Sequence, residues 1–160
     1  PISSQFFISC RYVNAHTIIS ILFLSLLLMK LTHSYHGSFI IINYIFFSIS
    51  LVLGMFIFYS IEFIIASLVF WFRNFSYAGW LAGELLKYSR RPDSIYKNFF
   101  RKTLFTIFPM AMIFSVPSRF LIFGVDIKLL FWQFFITSIF LWITTIVWKR
   151  GLIKYESASS

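Results

Sequence analysis

The longest apolar run of the chain, residues 39–72, contains a single charged side chain, that of Glu62. As one α-helix, a run of 34 residues would measure about 51 Å, whereas the hydrocarbon core of a bilayer is about 30 Å thick. This run therefore predicts a membrane helix that tilts, kinks or projects beyond the bilayer. With 59% hydrophobic residues and a mean hydropathy of +0.85, the chain as a whole is typical of an integral membrane protein.

Three further apolar runs predict additional membrane helices, so the expected fold is all-α with about four transmembrane spans. The predicted spans cover about residues 13–31, 39–72, 103–118 and 129–148. Between the second and third runs, apolar residues recur at helical spacing and predict an amphipathic helix at the membrane interface: Trp80, Leu81, Leu85 and Tyr88.

Basic residues are concentrated at the ends of these runs. Seven of the 14 Lys and Arg residues lie within residues 73–102, and none lies within 103–118. Because cytoplasmic loops accumulate Lys and Arg, we expect loop 73–102 and the C-terminal tail to face the cytoplasm. Eleven cations then lie inside, and three lie outside: Lys30, Arg119 and Lys128. Membrane boundaries thus account for the net charge of +9, and nucleic-acid binding is not predicted.

Polar residues form a stripe on one predicted face of the second span. The stripe recurs at spacings of four and three: Ser48, Val52, Met55, Tyr59, Glu62 and Ala66. A carboxylate facing lipid is costly, so Glu62 should face other helices or water, as in a transport pathway. Alternatively, Glu62 lies near the inner interface and pairs with a basic residue. The second interpretation is favoured because Glu62 is about ten residues from the basic loop.

Pro109 interrupts the third predicted span. A proline has no N–H group, so the carbonyl of Phe105 loses its helical donor and must find another inside a bundle or cavity. We therefore expect a kink or break at Pro109, in a short helix that then turns within or near the outer interface, where Pro117, Arg119 and Gly124 follow closely. On the last span Gln133, Thr137, Thr144 and Trp148 share one face, which should pack against protein.

Sequence motifs for catalysis or cofactor binding are missing. The chain has no phosphate-binding glycine loop, no dinucleotide fingerprint, no zinc-protease motif and no nucleophile elbow, so neither an enzyme nor a cofactor is predicted. His33 and His36 are spaced three apart, but two ligands without a nearby carboxylate or thiol make a poor metal site. The single cysteine, Cys10, cannot form an internal disulfide.

Several short motifs resemble a known transporter family. Arg91-Pro92 followed by Tyr96, then Pro109 and Pro117 in one apolar stretch, are similar to the ABC-2 type permease family, in its branch of bacterial uncharacterised permeases. The tail WKRGLIKYESASS and the opening Pro-Ile-Ser add to the resemblance. It implies a single transmembrane domain over residues 1–160 that is the later part of a six-helix permease. The chain, which begins with Pro1, is then expected to be a fragment.

The resemblance also implies partners and a function. ABC-2 permeases are membrane subunits of ATP-driven transporters, here an exporter in the bacterial inner membrane, with a second permease subunit and separate ATPase subunits. The main ATPase-coupling element would lie at or before Pro1. The expected pathway or helix-interface residues are Ser48, Tyr59, Glu62, Pro109, Gln133 and Thr137; those expected to contact the cytoplasmic partner or lipid are Arg90, Arg91, Tyr96, Arg101 and Lys102.

Two other classes of function also fit the residues. One is an energy-independent membrane scaffold or assembly protein, and the other is an intramembrane lipid-modifying enzyme that uses Glu62. Copurification of an ATPase distinguishes the transporter from both alternatives.

Overall fold

The computed structural model of the protein describes residues 15–36, 41–72, 77–91 and 95–159. Every regular element in these ranges is helical. The six α-helices are α1 (Ala15–His36), α2 (Ile41–Ser67), α3 (Ala78–Ser89), α4 (Asn98–Thr106), α5 (Ala111–Ile122) and α6 (Ile127–Ser159), and a short 3-10 turn, Leu68–Phe70, extends α2. The all-α prediction is confirmed for the described part of the chain.

The chain divides into two compact units, Pro1–Ile41 and Ile42–Ser160. In the first unit, helix α1 covers most of the span predicted over residues 13–31 and exposes large apolar side chains such as Phe23 and Leu26. The second unit contains the remaining helices and the buried core. A single transmembrane domain over residues 1–160 stays a prediction.

Two described helices are long and apolar enough to cross a membrane. They are Ile41–Phe70, with mean hydropathy 2.3, and Ile127–Tyr155, with mean hydropathy 1.8. The pair Phe99–Thr106 and Ala111–Ile122 adds a third crossing only if it is counted as one span, and it is bent by 97°. The length and composition of these helices support an integral membrane fold with two or three spans, whereas the count of four spans stays a prediction.

Helices α2 and α6 run parallel. Ser50 contacts Gln133 near their N-terminal ends, and Phe70 contacts Trp148 near their C-terminal ends. Two parallel helices require the chain to return from one end of the pair to the other, and residues 71–126 supply that return. Both helices therefore end at the same face of this unit.

Helix α5 is the centre of the core. It runs antiparallel to α2, because Ile113 lies against Gly54 whereas the ring of Phe120 lies 6.4 Å from that of Phe46. The side chains at its start and along its inner face are almost fully buried: Met110, Ala111, Met112, Ile113, Val116 and Phe120. Helix α5 consists mostly of apolar residues, as expected for a helix that is buried on most of its sides.

Helix α3 is the predicted amphipathic helix, and it packs against α5. Ala82 is buried, Leu81 and Leu85 contact the core, and Trp80 is 65% exposed. On the outer side Lys87 forms a salt bridge with Glu84 one turn earlier. The apolar side of α3 therefore covers the broken pair α4 and α5, and its charged side faces away from them.

Candidate functional site

The backbone break between α4 and α5 occurs at Pro109, as the sequence predicts. Helix α4 ends at Thr106, Pro109 is fully buried, and α5 begins at Ala111. The carbonyl of Phe105, which Pro109 deprives of a helical donor, accepts a hydrogen bond from Trp132 Nε1 at 3.3 Å. The prediction that this carbonyl needs a donor from elsewhere in the bundle is confirmed, and the donor comes from α6.

A buried polar cluster joins α2, α5 and α6 just beyond the break. Gln133 Nε2 donates to the backbone oxygens of Ser50, at 2.8 Å, and Met112, at 3.0 Å. Ser50 Oγ donates in turn to Gln133 Oε1 at 2.7 Å. Gln133 and Ser50 are each 0% exposed. One side chain thus uses both donor hydrogens and its acceptor to hold three helices together, and we call Gln133, Ser50 and the Met112 carbonyl the polar clamp.

Gly54 permits a close backbone contact one turn along α2 from the clamp. A Cβ atom at Gly54 would lie 2.8 Å from the carbonyl oxygen of Ile113 and 3.1 Å from its Cα. Pro117, which lies inside α5, cannot donate to that same carbonyl. The glycine therefore lets α2 approach the backbone of α5 where a proline leaves a carbonyl without its helical donor.

A second polar contact between α2 and α6 lies further along the pair. Thr144 Oγ1 donates to Phe140 O at 2.8 Å within its own helix and lies 3.5 Å from Ser60 O across the interface. Thr137 is also buried, but its hydroxyl donates only to Gln133 O, at 2.7 Å, within α6. Small polar residues that satisfy themselves in this way let two membrane helices approach closely.

Aromatic rings hold the other end of the parallel pair. The ring of Trp148 lies 5.1 Å from that of Phe63 and 5.4 Å from that of Phe70, both edge to face. Phe70 also lies 6.2 Å from Tyr155 and covers the buried Gly151. We call this group the aromatic end.

The stripe that contains Glu62 lies on the outer face of α2. Val52 is 49% and Met55 54% exposed, and Ser48, Glu62 and Ala66 are also exposed. Ser48 Oγ donates to Tyr44 O in its own helix, and the ring of Tyr59 lies 5.4 Å from that of Phe63. No ion pair between Glu62 and a basic side chain is found among the described residues.

The predicted site residues therefore fall in two places. Pro109, Gln133 and Thr137 are inside the bundle, whereas Ser48, Tyr59 and Glu62 lie on the opposite side of α2. The sequence analysis missed Ser50 and Gly54, which are two small residues at a spacing of four on the face that packs. That spacing is the signal that could have revealed them.

Two basic residues of the loop, Arg101 and Lys102, lie close to the start of α6. Arg101 and Lys102 line one cavity together with Arg119 and with Leu129, near the start of α6. The sequence analysis put Arg101 and Lys102 on the side of the tail and Arg119 on the opposite side, and the side that each faces stays a prediction. Counting sides by alternation treats residues 103–118 as one straight crossing, whereas α4 and α5 are bent by 97° at the break.

The remaining predicted contact residues lie beside α4. Arg90 and Arg91 are exposed, and Tyr96 donates from its hydroxyl to Tyr88 O at 3.4 Å. The rings of Tyr88 and Tyr96 lie 6.0 Å and 5.2 Å from that of Phe100. The end of α3 and the start of α4 are therefore packed together, next to Arg101.

Two helices long and apolar enough to cross a membrane, joined by a polar clamp to the second half of a proline-broken pair, are typical of a polytopic helical membrane protein. The model of a family described as ABC-2 family transporter protein matches residues 1–159 of this chain. The chain belongs to the ABC-2 transporter family, whose members are membrane components of transporters. No curated protein and no solved structure matches it.

Proposed function

We propose that this chain is a permease subunit of an ATP-driven exporter, and that the outer face of α2 contributes to the translocation path it forms with a second permease subunit. The observation that carries this proposal is the exposed stripe around Glu62 on a helix long enough to span the membrane. Membership of the ABC-2 family supports the permease role.

The stripe is unsuited to lipid for energetic reasons. A carboxylate at membrane depth costs several kcal/mol, roughly 2.5–3.5 on insertion scales, unless it meets water or protein. Glu62 is exposed on this unit, and Ser48 and Tyr59 place further polar groups along the same face. A water-filled path or a second subunit against this face removes the cost, whereas bare hydrocarbon does not.

Substitution of Glu62 tests the pathway. Glu62→Gln and Glu62→Ala should lower export while the protein is still expressed and remains monodisperse. Glu84→Gln is a matched control, because Glu84 is a carboxylate on α3 paired with Lys87 outside the stripe. Full export in both Glu62 variants would remove the pathway role and leave only an interfacial position for Glu62.

Disulfide crosslinking tests the second subunit. In a Cys10→Ser background, Met55→Cys should crosslink two permease subunits in membranes, because Met55 is 54% exposed on the stripe. Ile57→Cys is the control, because Ile57 is 0% exposed and lies on the packed face of α2. Equal crosslinking at the two positions, or none at Met55, would place the subunit contact elsewhere.

We propose that ATP hydrolysis comes from a separate subunit, and the lack of a phosphate-binding loop in residues 1–160 supports this. We propose that this ATPase docks at the end of the unit where Lys149, Arg150 and Lys154 follow Trp148, and that this end is cytoplasmic in the bacterial inner membrane. Exposed charge pairs there should each contribute about 1 kcal/mol or less. Arg90 and Arg91 were expected to contact either the cytoplasmic partner or lipid. Because their segment packs beside α4, we propose that they contact lipid.

Two measurements check the docking and the sidedness. The full-length protein purified from its native membrane should carry an ATPase whose hydrolysis it stimulates, and its failure to do so would favour a scaffold. Single cysteines at Asp126 and Lys154 should be labelled by an impermeant reagent from opposite sides of the membrane. Labelling of both from one side would contradict the assignment of the two ends of α6.

A further inference from the structure

Glu62 places a negative charge on the exposed face of α2. Of the five acidic residues of the chain, it is the one that lies within the candidate membrane helices 41–70, 99–122 and 127–155 of the described structure. No Lys or Arg lies within residues 41–70, and no ion pair between Glu62 and a basic side chain is found among the described residues. Because a charge at membrane depth is stabilised by an opposite charge or by water, this face favours a cation and disfavours an anion.

Two aromatic rings accompany this carboxylate. Tyr59 precedes Glu62 by three residues, a spacing at which side chains on a helix are neighbours. The ring of Tyr59 lies 5.4 Å from that of Phe63, and both residues are partly exposed. The face of an aromatic ring attracts a cation that approaches within about 6 Å of its centroid. The same part of α2 therefore offers a cation both a carboxylate and aromatic rings.

Apolar side chains continue this face towards the start of α2. Val52 is 49%, Met55 54% and Phe56 46% exposed. Their spacings of three and four from one another and from Tyr59 place them on the same side of the helix. A methionine side chain is flexible and polarisable, so it adapts to apolar groups of different shape. The surface thus combines one negative charge with an apolar area beside it.

The position of Glu62 along α2 suits the loading of a substrate. Glu62 precedes Phe70 by eight residues, which is about 12 Å along a helix axis. This end of α2 lies at the same face of the unit as the C-terminal end of α6, the proposed cytoplasmic end. Because an exporter takes its substrate from the cytoplasm, Glu62 lies near the entry of the proposed path.

We propose that this face of α2 binds lipophilic organic cations, such as quaternary ammonium or phosphonium compounds, and that the Glu62 carboxylate pairs with their positive charge. The inference rests on the proposed function and names the class of substrate that the path takes. A neutral amphiphile would leave the carboxylate without a counter-ion. A metal ion needs several ligands, and no group of three His, Cys, Asp or Glu residues that could hold one is found among the described residues.

Equilibrium binding to the full-length protein tests this assignment. The protein is reconstituted in phosphatidylcholine nanodiscs and titrated with radiolabelled tetraphenylphosphonium, and binding to empty nanodiscs is subtracted. Glu62→Gln should weaken binding about tenfold, because it removes the charge at nearly constant volume. Glu62→Asp keeps the charge and should bind within about threefold of wild type, which separates loss of the carboxylate from loss of folding. Tyr59→Leu should weaken binding about threefold, because it removes one ring.

Matched controls isolate the effect of the charge. Glu84→Gln removes a carboxylate of α3 that is paired with Lys87 and should leave binding unchanged. Tetraphenylborate, an anion of the same shape, should not displace tetraphenylphosphonium at equal concentration. Equal affinity of the wild-type and Glu62→Gln proteins, or no saturable binding to the wild-type protein, would overturn the proposal, as would displacement by tetraphenylborate.

Export measured in intact cells separates this inference from the function on which it rests. If Glu62→Gln and Glu62→Ala keep full export, the pathway role itself fails. If they lose export but the wild-type protein binds tetraphenylphosphonium and tetraphenylborate equally well, the pathway stands and its substrate is not selected as a cation.

Discussion

The parallel helices α2 and α6 are held together differently at their two ends. Near the break, Gln133 forms three hydrogen bonds with Ser50 and Met112, at 2.7–3.0 Å. At the aromatic end, the rings of Trp148 and Phe70 pack edge to face. One interface is therefore directional, and the other depends on shape.

The backbone of the joined helices also differs between the two ends. The clamp end contains backbone groups that Pro109 and Pro117 deprive of their usual partners, and hydrocarbon offers no replacement donors. The aromatic end joins two uninterrupted helices, whose backbone bonds are already made within each helix. Near the break, Trp132 Nε1 donates to a freed carbonyl, that of Phe105. Gln133 instead binds the carbonyls of Ser50 and Met112, which no proline deprives of a helical donor.

The largest expected effect is at Gln133. Gln133→Leu removes all three bonds of the clamp at nearly constant volume, and at about 0.6–1 kcal/mol for each interhelical bond we expect a loss of about 2–3 kcal/mol in the free energy of unfolding. Reversible unfolding in mixed detergent measures this loss. Ser50→Ala is the graded control, because it removes only the bond to Oε1. An equal loss in both variants would mean that the Nε2 bonds contribute little.

Gly54→Ala should have the next largest effect. The new methyl group would lie 2.8 Å from the Ile113 carbonyl oxygen, and backbone cannot move aside as a side chain can. Overpacking of this kind costs about 1–3 kcal/mol. The same unfolding assay measures the loss, with Gly83→Ala as control because nothing lies within 4 Å of its added Cβ. A neutral Gly54→Ala would show that α2 and α5 separate easily.

Gly151→Ala probes the aromatic end and should cost less than Gly54→Ala. Its added methyl meets the ring of Phe70, a side chain that can rotate away, and we expect a loss of about 1 kcal/mol or less. Phe70→Leu should restore most of the stability in the double variant. If Gly151→Ala proves as harmful as Gly54→Ala, the aromatic end is as rigid as the clamp.

Thr137→Val should have the smallest effect of the series. Thr137 is buried on the clamp side of α6, but its hydroxyl donates only to a carbonyl of its own helix. Its loss should change the free energy of unfolding by less than about 0.5 kcal/mol. A change as large as that of Gln133→Leu would show that burial alone, and not bonding between helices, determines the stability of this region.

Some of this arrangement could be predicted from local sequence, and the rest depends on long-range pairing. Pro109 predicts both the break and the freed Phe105 carbonyl, because each follows from the chemistry of one residue. The identity of the donor, Trp132, does not follow, because it depends on how α4 lies against α6. In the same way Gln133 was expected to face protein, but its partner Ser50 is 83 residues away.

The stripe on α2 shows another limit of periodicity. Helical spacing correctly groups Ser48, Tyr59 and Glu62 on one face, but it does not say which face of an apolar helix packs within its own unit. The packed face is the one with Ser50 and Gly54, where small size rather than polarity allows close approach.

The donor for the broken helix also arrives late during synthesis. Trp132 follows Phe105 by 27 residues, so at roughly 5–20 residues per second the carbonyl of Phe105 leaves the ribosome about 1–5 s before Trp132 does. Gln133 emerges one residue later, and with it the bonds to α2 and α5. Helix α6 therefore supplies these donors after α4 and α5 have left the ribosome. Truncation of the nascent chain just before Trp132 leaves the break at Pro109 without them.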